Sequence, residues 1–445
     1  MKIILIQPKM NMRPMDTELK TRMAPPLSLL TLMRLTPEEH EVVMLNENVE
    51  SVDYECEAGL VGITITLDVM PRACRIAEKF RKRGVAVVAG GIHVTCSPEK
   101  CLPYFDALCV GAAERVWGRI IEDTSKHELK KVYHDMENFG GDEIVSPMYN
   151  KIDENRYLYA NVVATSRGCP NRCDFCYNSC RNRAYIQRPI ADVLSDIKAL
   201  RTSHVLFIDD NFIGVPAYTR KLLGEIRNLN LKWSAAVTTR IVDYPELLDL
   251  MAETGCKSLF IGFESINNMA LRGVNKDNQF EKYEQLVEAI HRRGIMINAS
   301  MVFGLDGDGP DVFAKTLAWL EKNRIETLTS HILTPYPGTA LYRRMEETGR
   351  IIDYDLSMYN TAHVVFKPEG MKSEELYKGY LWMYRKFYSF RSILRRMPTH
   401  KAQREPYILF NLLYRKFGRF TMALSRVIPL RVLGRLGAWI SYRIK

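Results

Sequence analysis

The stretch Ser166-Arg-Gly-Cys169-Pro-Asn-Arg-Cys173-Asp-Phe-Cys176-Tyr177 places three cysteines within eight residues, in the spacing C-x3-C-x2-C. It follows an apolar run and contains Gly, Pro and Asn, which predicts a loop. A loop lets three thiolates converge on one centre, whereas a helix or a strand would spread them over its faces. Soft thiolates select an iron–sulfur cluster or zinc. Three protein ligands on a four-iron cluster leave one iron open to substrate.

Another thiol, Cys180, follows Cys176 by four residues, so a closed four-cysteine cluster or a structural zinc site is an alternative. Structural zinc sites usually come as two separated ligand pairs, which favours the open three-cysteine cluster. The remaining cysteines have no ligand spacing and are interpreted as small buried apolar residues of a reduced compartment. They are Cys56, Cys74, Cys96, Cys101, Cys109 and Cys256.

Around the cysteine loop, strand-like and helix-like segments alternate from Asn161 to about residue 365. The predicted strands are Asn161–Thr165, Val205–Ile208, Lys232–Thr238, Ser258–Gly262, Met296–Phe303 and Thr327–Leu333. Helix-length segments between strands predict an open or partial (β/α) barrel. Polar residues stand at the carboxyl ends of these strands, where the chemistry of a barrel is located.

With this loop after the first strand of a six-strand α/β barrel, the chain resembles the radical S-adenosylmethionine (SAM) superfamily. In that family the open iron chelates the amino and carboxylate groups of SAM. An electron from the cluster then cleaves SAM to methionine and a 5′-deoxyadenosyl radical, which abstracts hydrogen from an unactivated carbon. The resemblance implies Cys169, Cys173 and Cys176 as ligands of a [4Fe-4S] cluster, and an electron donor such as flavodoxin or ferredoxin as a partner.

The resemblance also implies SAM-binding residues beside the cluster and at the strand ends. An aromatic residue before the last cysteine is usual in the family, acidic groups after the second strand lie near the SAM amino group, and an arginine after the third strand is suited to pair with the carboxylate. The fourth strand holds ribose or carboxylate, and the fifth lies near the adenine. The residues implied are Phe175, Asp209, Asp210, Arg240, Glu264, Ser265 and Gly304. Each alone would also suit a cap or a turn, so the prediction depends on the joint pattern.

Residues 1–130 are predicted to form a doubly wound, Rossmann-like domain. Its strands are Lys2–Ile6, Val42–Leu45, Leu60–Thr64, Val85–Ala89 and Ala107–Val110. Such a domain ahead of a radical SAM barrel resembles the cobalamin-binding class of the superfamily. The resemblance implies a cobalamin site formed by Thr64, Gly90, Gly91, His93, Gly111 and Glu114. Residues 131–155 are predicted to be a linker, 156–365 the barrel and 366–445 a helical extension with a basic amphipathic tail.

One motif of cobalamin proteins is missing. Those that replace the nucleotide base with a histidine carry D-x-H-x-x-G, which none of the nine histidines satisfies; Leu45-Asn46-Glu47-Asn48 stands in the expected loop. Cobalamin is therefore expected to bind without a protein nitrogen on cobalt. The alternative is a domain that keeps the fold and has lost the cofactor. His93 either faces the corrin or caps its strand end.

The net charge of +10 is concentrated in the tail. Residues 385–445 hold 15 Lys and Arg and one acid, whereas the rest of the chain holds 47 basic and 51 acidic residues. Nucleic acid is therefore not an expected partner of the body. Apolar residues interleaved with Arg from Tyr407 onward are typical of a membrane-surface helix, and a hairpin packed on the barrel is the alternative. A cytoplasmic protein, peripheral on the inner face of an anionic membrane, is expected.

The predicted function is cobalamin-dependent C-methylation of a small or lipid-like substrate by a radical SAM enzyme. The first alternative is a radical rearrangement, cyclisation, coupling or hydroxylation with a vestigial cobalamin domain. An RNA methylthiotransferase would need further cluster cysteines and a basic β-barrel module, and a non-catalytic iron–sulfur redox protein would need no SAM site. A composition of 47% apolar and 26% charged residues excludes a disordered or disulfide-scaffold protein.

Overall fold

The computed structural model describes residues 1–16, 18–182, 185–200, 202–412 and 423–442. Its strands are β1 (Lys2–Gln7), β2 (Glu41–Asn46), β3 (Leu60–Thr64), β4 (Ala86–Gly90), β5 (Ala107–Cys109), β6 (Val132–Tyr133), β7 (Val162–Val163), β8 (Ser166–Arg167), β9 (Ile186–Gln187), β10 (His204–Phe207), β11 (Lys232–Thr238), β12 (Cys256–Glu264), β13 (Met296–Phe303) and β14 (Thr327–Ile332). Its helices are α1 (Glu18–Thr21), α2 (Leu27–Leu35), α3 (Met70–Lys82), α4 (Ile92–Cys96), α5 (Pro98–Cys101), α6 (Trp117–Ser125), α7 (Ile190–Ala199), α8 (Pro216–Ile226), α9 (Pro245–Glu253), α10 (Asn268–Arg272), α11 (Tyr283–Arg292), α12 (Val312–Lys322), α13 (Ala340–Glu347), α14 (Ser373–Phe387), α15 (Phe390–Arg395), α16 (Lys401–Leu412) and α17 (Leu430–Tyr442).

The N-terminal sheet has the order β2-β1-β3-β4-β5-β6, and its strands are parallel. The chain order reverses beside β1, which makes the sheet doubly wound, as predicted. Val- and Ile-rich strands are typical of parallel sheets, and a separate apolar cluster lies on each face. Strand β6 falls in the segment predicted to be a linker. Its two paired residues are too few to produce a recognisable pattern.

The second sheet has the order β14-β13-β12-β11-β10-β7, so each strand lies beside its neighbour in the chain. All its ladders are parallel, and helices cover the outer face. Among the described residues, β7 and β14 do not pair with each other, so the barrel is incomplete, as predicted. The two-stranded hairpin β8–β9 is antiparallel and carries the chain into the cysteine loop.

Helix α14 covers the free edge of the last barrel strand. The Tyr384 hydroxyl accepts a bond from Ser330 N at 3.1 Å and donates to Ser330 O at 3.2 Å. The Tyr388 hydroxyl does the same with Leu328, at 3.1 and 2.8 Å. An uncovered strand edge would leave these groups unpaired. The C-terminal extension is therefore helical, as predicted, and it completes the barrel edge.

The described part of the tail is also helical. Helix α17 packs on the body, where Arg431 pairs with Glu154 at 2.9 Å. Residues 413–422 and 443–445 of the predicted tail lie outside the described residues. No helix in the described ranges is long and apolar enough to cross a membrane.

Candidate active site

The cysteine loop is anchored from two other elements of the barrel. Asp174 N donates to Val274 O at 3.0 Å, and Leu341 N donates to Asp174 O at 3.0 Å. The Asp174 carboxylate also pairs with Arg344 at 3.1 Å. These bonds attach the middle of the loop to the turn after α10 and to the start of α13. A loop held at its centre presents its thiols in a defined arrangement.

The cysteines of the loop form one group of interacting thiols. Cys173 is buried, Cys169 and Cys176 are partly buried, and all three are free thiols. Burial raises the pKa of each, to about 12 for Cys176, and the other two add to that rise at Cys176. A coordinated metal deprotonates such thiols.

The chemistry of these donors suits an iron–sulfur cluster. Thiolates are the ligands that such clusters take, and a cubane meets each thiolate at a different iron. Cys180 is buried in the helical turn that follows the loop. The three loop thiols therefore fit a [4Fe-4S] cluster.

A buried ion pair lies beside these thiols. Glu264 and Lys276 are 2.9 Å apart, and each side chain is 9% exposed. After burial, the largest influences on the Cys173 pKa are Lys276, which lowers it, and Glu264, which raises it. Glu264 has a φ of 65° at a bulge in β12. A non-glycine residue in the left-handed region is a frequent mark of a functional site.

The two acidic residues predicted after the second barrel strand, Asp209 and Asp210, have different surroundings. The Asp209 carboxylate accepts bonds from Thr165 N and Thr165 Oγ1, both at 3.0 Å, and from Ser166 Oγ at 2.5 Å. It is thus occupied in holding the chain that enters the cysteine loop. Asp210 is exposed and raises the pKa of Cys169 and Cys176, after the larger effect of burial. Of the two, Asp210 is the one that is exposed.

The other predicted SAM residues are not gathered around the thiols in the same way. Arg240 is exposed and lines a separate pocket with Asp243 and Asp277, whereas the cation that lowers the pKa of Cys173 is Lys276. Ser265 is buried, and its Oγ accepts a bond from Asn267 N at 3.0 Å. Phe175 packs against the barrel core.

Gly304 has a packing reason for being glycine. It adopts a φ of 90°, and a Cβ there would come within 2.6 Å of Leu376 Cδ2 on α14. Its backbone N–H donates to the buried Asp308 carboxylate at 3.1 Å. The positive φ and the close packing of α14 both favour glycine at this position.

A second candidate site lies at the carboxyl edge of the N-terminal sheet, where doubly wound sheets bind ligands. It is a cavity of about 790 Å³, at the upper end of the usual range for cofactor pockets. Five of the predicted cobalamin residues line it together, namely Thr64, Gly90, Gly91, Gly111 and Glu114. The loop Leu45–Asn48 does not contribute to its lining.

Two glycines shape the floor of this cavity. A Cβ at Gly91, which has a φ of 104°, would lie 2.8 Å from Ile65 N. A Cβ at Gly111, which has a φ of 90°, would lie 2.8 Å from the Met136 side chain. His134 also lines the cavity and was missed by sequence reasoning, because it follows β6, the strand that the sequence did not reveal. The open, largely apolar floor fits a macrocyclic cofactor such as a corrin.

The predicted cobalamin residue His93 is not among the lining residues. It is buried, and its Nδ1 lies 3.5 Å from the Tyr177 hydroxyl, one residue after the cysteine loop. Burial lowers its pKa to about 4, so the imidazole is neutral at physiological pH. Tyr177 stacks on Tyr336 with ring centroids 4.5 Å apart. His93 therefore links the N-terminal domain to the barrel.

An ion pair joins the cavity to the cysteine loop. Arg167 donates to both Glu114 carboxylate oxygens, at 2.6 and 3.2 Å, and the Glu114 side chain is 5% exposed. Both residues line the cavity, and Arg167 stands two positions before Cys169. The two candidate sites are thus neighbours across the interface between the sheets.

An incomplete parallel barrel with three cysteines after its first strand, beneath a doubly wound domain, defines a class of iron–sulfur enzymes that act on SAM. Residues 163–320 match the family model of the Radical SAM superfamily, and residues 339–424 match a domain of unknown function, DUF4070. The chain therefore contains a radical SAM domain, and this family implies a [4Fe-4S] cluster and SAM as cofactors.

Relatives and solved structures extend the similarity over most of the chain. Bacteriochlorophyllide d C-12(1)-methyltransferase of Chlorobaculum tepidum is 27% identical over 89% of this chain and 89% of its own length. Hopanoid C-2 methylase of Rhodopseudomonas palustris is 27% identical over 74% of this chain and 66% of its own length. The radical SAM methyltransferase TsrM of Kitasatospora setae, solved with cobalamin and a [4Fe-4S] cluster, is 17% identical, with a TM-score of 0.68 over 98% of this chain and 99% of that chain. At that identity the structural likeness concerns the fold.

Proposed function

We propose that this chain is a cobalamin-dependent radical SAM methyltransferase that acts on an unactivated carbon of a small or lipid-like molecule. The observation that carries the proposal is the contact between its two candidate sites. Arg167 lines the N-terminal cavity and stands two residues before Cys169. A methyl donor in the cavity and a radical source on the cysteine loop would then face one shared space, as methyl transfer to a carbon radical requires.

The protein's own groups have distinct tasks in this proposal. Cys169, Cys173 and Cys176 would hold the cluster through their thiolates. Lys276 offers an ammonium group suited to the SAM carboxylate, and Asp210 offers a carboxylate suited to the SAM amino group. When bound, the cluster and SAM supply a carbon-centred radical, and cobalamin supplies the methyl group. The chain itself orients these groups and excludes water from them.

The proposed substrate is a polycyclic or lipid-like molecule. Relatives similar over most of the chain are named for methylation of a bacteriochlorophyllide and of a hopanoid. Both names describe large, mainly apolar ring systems, and the share of each relative that this chain covers supports a substrate of similar character. A screen of such compounds for methyl transfer from SAM would identify the substrate.

Anaerobic reconstitution with iron, sulfide, SAM, a reductant and hydroxocobalamin tests the proposal. We expect cobalamin absorbance to remain with the purified chain, and mass spectrometry to detect 5′-deoxyadenosine and S-adenosylhomocysteine. Replacing any one of Cys169, Cys173 or Cys176 with Ala should abolish SAM cleavage, whereas Cys256→Ala serves as a control at a buried cysteine outside the loop. Continued 5′-deoxyadenosine production by a loop variant would contradict the assignment.

The cobalt environment gives a second test. Because no D-x-H-x-x-G motif is present, we expect the EPR spectrum of cob(II)alamin bound to the chain to show no splitting from a histidine nitrogen. His134 is the histidine among the cavity-lining residues, so His134→Ala is the informative variant. Nitrogen splitting that disappears in this variant would identify His134 as a cobalt ligand and correct the expectation.

A non-methylating reaction is the second candidate, because the anaerobic magnesium-protoporphyrin IX monomethyl ester cyclase of Cereibacter sphaeroides is 24% identical over 73% of this chain. The same reconstitution separates the two candidates. Methyl transfer yields S-adenosylhomocysteine together with 5′-deoxyadenosine, whereas cyclisation or rearrangement yields 5′-deoxyadenosine without S-adenosylhomocysteine.

We also propose a peripheral location on the inner face of a membrane. The concentration of Lys and Arg in residues 385–445, where a single acid stands, supports this location. It would bring the enzyme to a substrate of low solubility in water.

A further inference from the structure

Helix α17 has one side fitted to the body of the protein. At 100° per residue, Leu430, Gly434 and Gly437 lie along a single stripe of the helix. Leu430 is 2% exposed, and a Cβ at Gly434 would lie 2.6 Å from Leu158 O. The missing side chains of the glycines thus allow the helix to approach the body closely. The orientation of α17 about its own axis is fixed by this stripe.

The opposite side of α17 presents large apolar side chains to solvent. Val432, Leu436 and Trp439 are each about 180 to 240° around the helix from Leu430. They are 50%, 50% and 58% exposed, and Val427 just before the helix is 84% exposed. A contiguous apolar surface of this kind marks a site of interaction.

The segment of sequence that contains this apolar stripe is basic. Residues 406–445 contain eight Lys and Arg and no Asp or Glu. Arg431 is held to Glu154 at 2.9 Å and thereby ties the helix to the body. Arg435 stands beside the apolar stripe, is 68% exposed, and approaches Glu154 only to 3.9 Å. Its guanidinium is therefore available to an external anion.

We infer that the outer face of α17 binds the surface of an anionic phospholipid bilayer. Val432, Leu436 and Trp439 enter the boundary between headgroups and acyl chains, and Arg435 lies at the level of the lipid phosphates. This inference deepens the proposed peripheral location, on which it rests, and it is independent of the proposed methyl transfer. A nucleic acid would satisfy the charge and would leave the apolar stripe in water.

Flotation of the full-length, reconstituted protein with vesicles tests the inference. We expect binding to vesicles of phosphatidylcholine with phosphatidylglycerol, weak binding to phosphatidylcholine alone, and loss of binding at high salt. Leu436→Gln combined with Trp439→Gln should weaken binding about tenfold or more, because both side chains lose their apolar insertion. Arg435→Glu should weaken binding to the anionic vesicles about fivefold or more.

Two control variants test whether any change of an exposed aromatic residue or an exposed arginine would weaken vesicle binding. Tyr354→Gln changes a residue that is 64% exposed elsewhere on the surface. Arg292→Glu reverses a charge that is 66% exposed and stands 4.0 Å from its nearest acid. Both controls should bind vesicles as the unaltered chain does.

The inference is overturned if the unaltered chain does not float with anionic vesicles at low salt, or if the α17 variants bind as well as the controls. Binding of the basic tail to RNA in place of vesicles would overturn it as well. Thermal unfolding and 5′-deoxyadenosine production should be unchanged in the α17 variants. Unchanged values would show that weaker vesicle binding results from the altered surface of α17 and not from misfolding. Absence of SAM cleavage in the unaltered chain would instead contradict the proposed chemistry.

Discussion

Glu264 is the residue at which burial, charge and backbone conformation coincide. Its carboxylate is buried, its φ is 65°, and its partner Lys276 stands twelve residues further along the chain. The resemblance to the radical SAM superfamily implied Glu264, at the end of the fourth barrel strand. It did not reveal Lys276, which approaches the site only through the tight turn at Asn275 (φ 52°). A buried carboxylate needs a cation, and the fold decides which cation supplies it.

Replacing Lys276 tests whether this pair supports SAM. Lys276→Met leaves a buried carboxylate unpaired, which should cost about 3–5 kcal/mol of stability. Lys276→Met combined with Glu264→Gln removes both charges and should recover most of that stability, while SAM cleavage stays low because no cation faces the SAM carboxylate. Thermal unfolding and 5′-deoxyadenosine yield are the measurements.

Lys282 supplies the control for the Lys276 prediction. It is 47% exposed and lies 3.6 Å from Asp243, so Lys282→Met should leave both measurements unchanged. Normal SAM cleavage by the double variant would show that the pair serves packing alone.

At the scale of elements, the strands of the barrel were predictable and the contacts between elements were not. Buried parallel strands produce apolar runs that a sequence displays directly, and β11 and β13 have their predicted bounds. Strand β6 is too short to display a hydrophobic period in the sequence. The sequence therefore did not reveal that His134, which follows β6, lines the cavity. The sequence predicted Gly304 near the adenine, and it did not reveal that α14 packs closely against this glycine. Contacts of that kind depend on residues far away in the chain.

The hydroxyls of Tyr384 and Tyr388 give a prediction for α14. Tyr384→Phe removes the donor and acceptor that pair with both backbone groups of Ser330, and should lower the free energy of unfolding by about 1–3 kcal/mol. Tyr388→Phe should have a similar effect at Leu328, and thermal unfolding is the measurement. Tyr354→Phe is the control, because that ring is 64% exposed. Equal stability of all three variants would mean that the strand edge finds other partners.

At the scale of the whole molecule, the N-terminal domain lies directly over the cysteine loop. His93 lies next to Tyr177, and the backbone at Cys96 lies so close to Gly338 that a Cβ at this glycine would come within 2.8 Å of Cys96 O. These contacts, together with the Arg167–Glu114 pair, surround the space between the two candidate sites. The sequence suggested each domain separately through its own strands and glycines. The interface depends on contacts between distant segments, which no local pattern encodes.

Replacing Arg167 tests whether its ion pair with Glu114, which joins the two domains, also supports cobalamin binding. Arg167→Gln leaves the Glu114 carboxylate, 5% exposed, unpaired in the cavity wall. Because hydrogen bonds to a charged group contribute about 1.5–3 kcal/mol, we expect cobalamin to bind about ten- to a hundredfold more weakly, with unchanged iron content. The exchange of Glu114→Arg with Arg167→Glu restores the pair and should recover part of the affinity. Cobalamin absorbance and iron analysis of the reconstituted chain are the measurements.

An ion pair remote from the cavity provides the comparison for that result. Arg81 pairs with Asp106 at 3.0 Å in the same N-terminal domain, outside the cavity lining. Arg81→Gln should therefore leave both cobalamin and iron unchanged. If Arg167→Gln also left the cobalamin affinity unchanged, the pair would join the domains without shaping the cavity. If iron were lost together with cobalamin, the pair would be needed for the cysteine loop itself, because Arg167 stands only two residues before Cys169. A selective loss of cobalamin is thus the outcome that ties the cavity to the cross-domain contact.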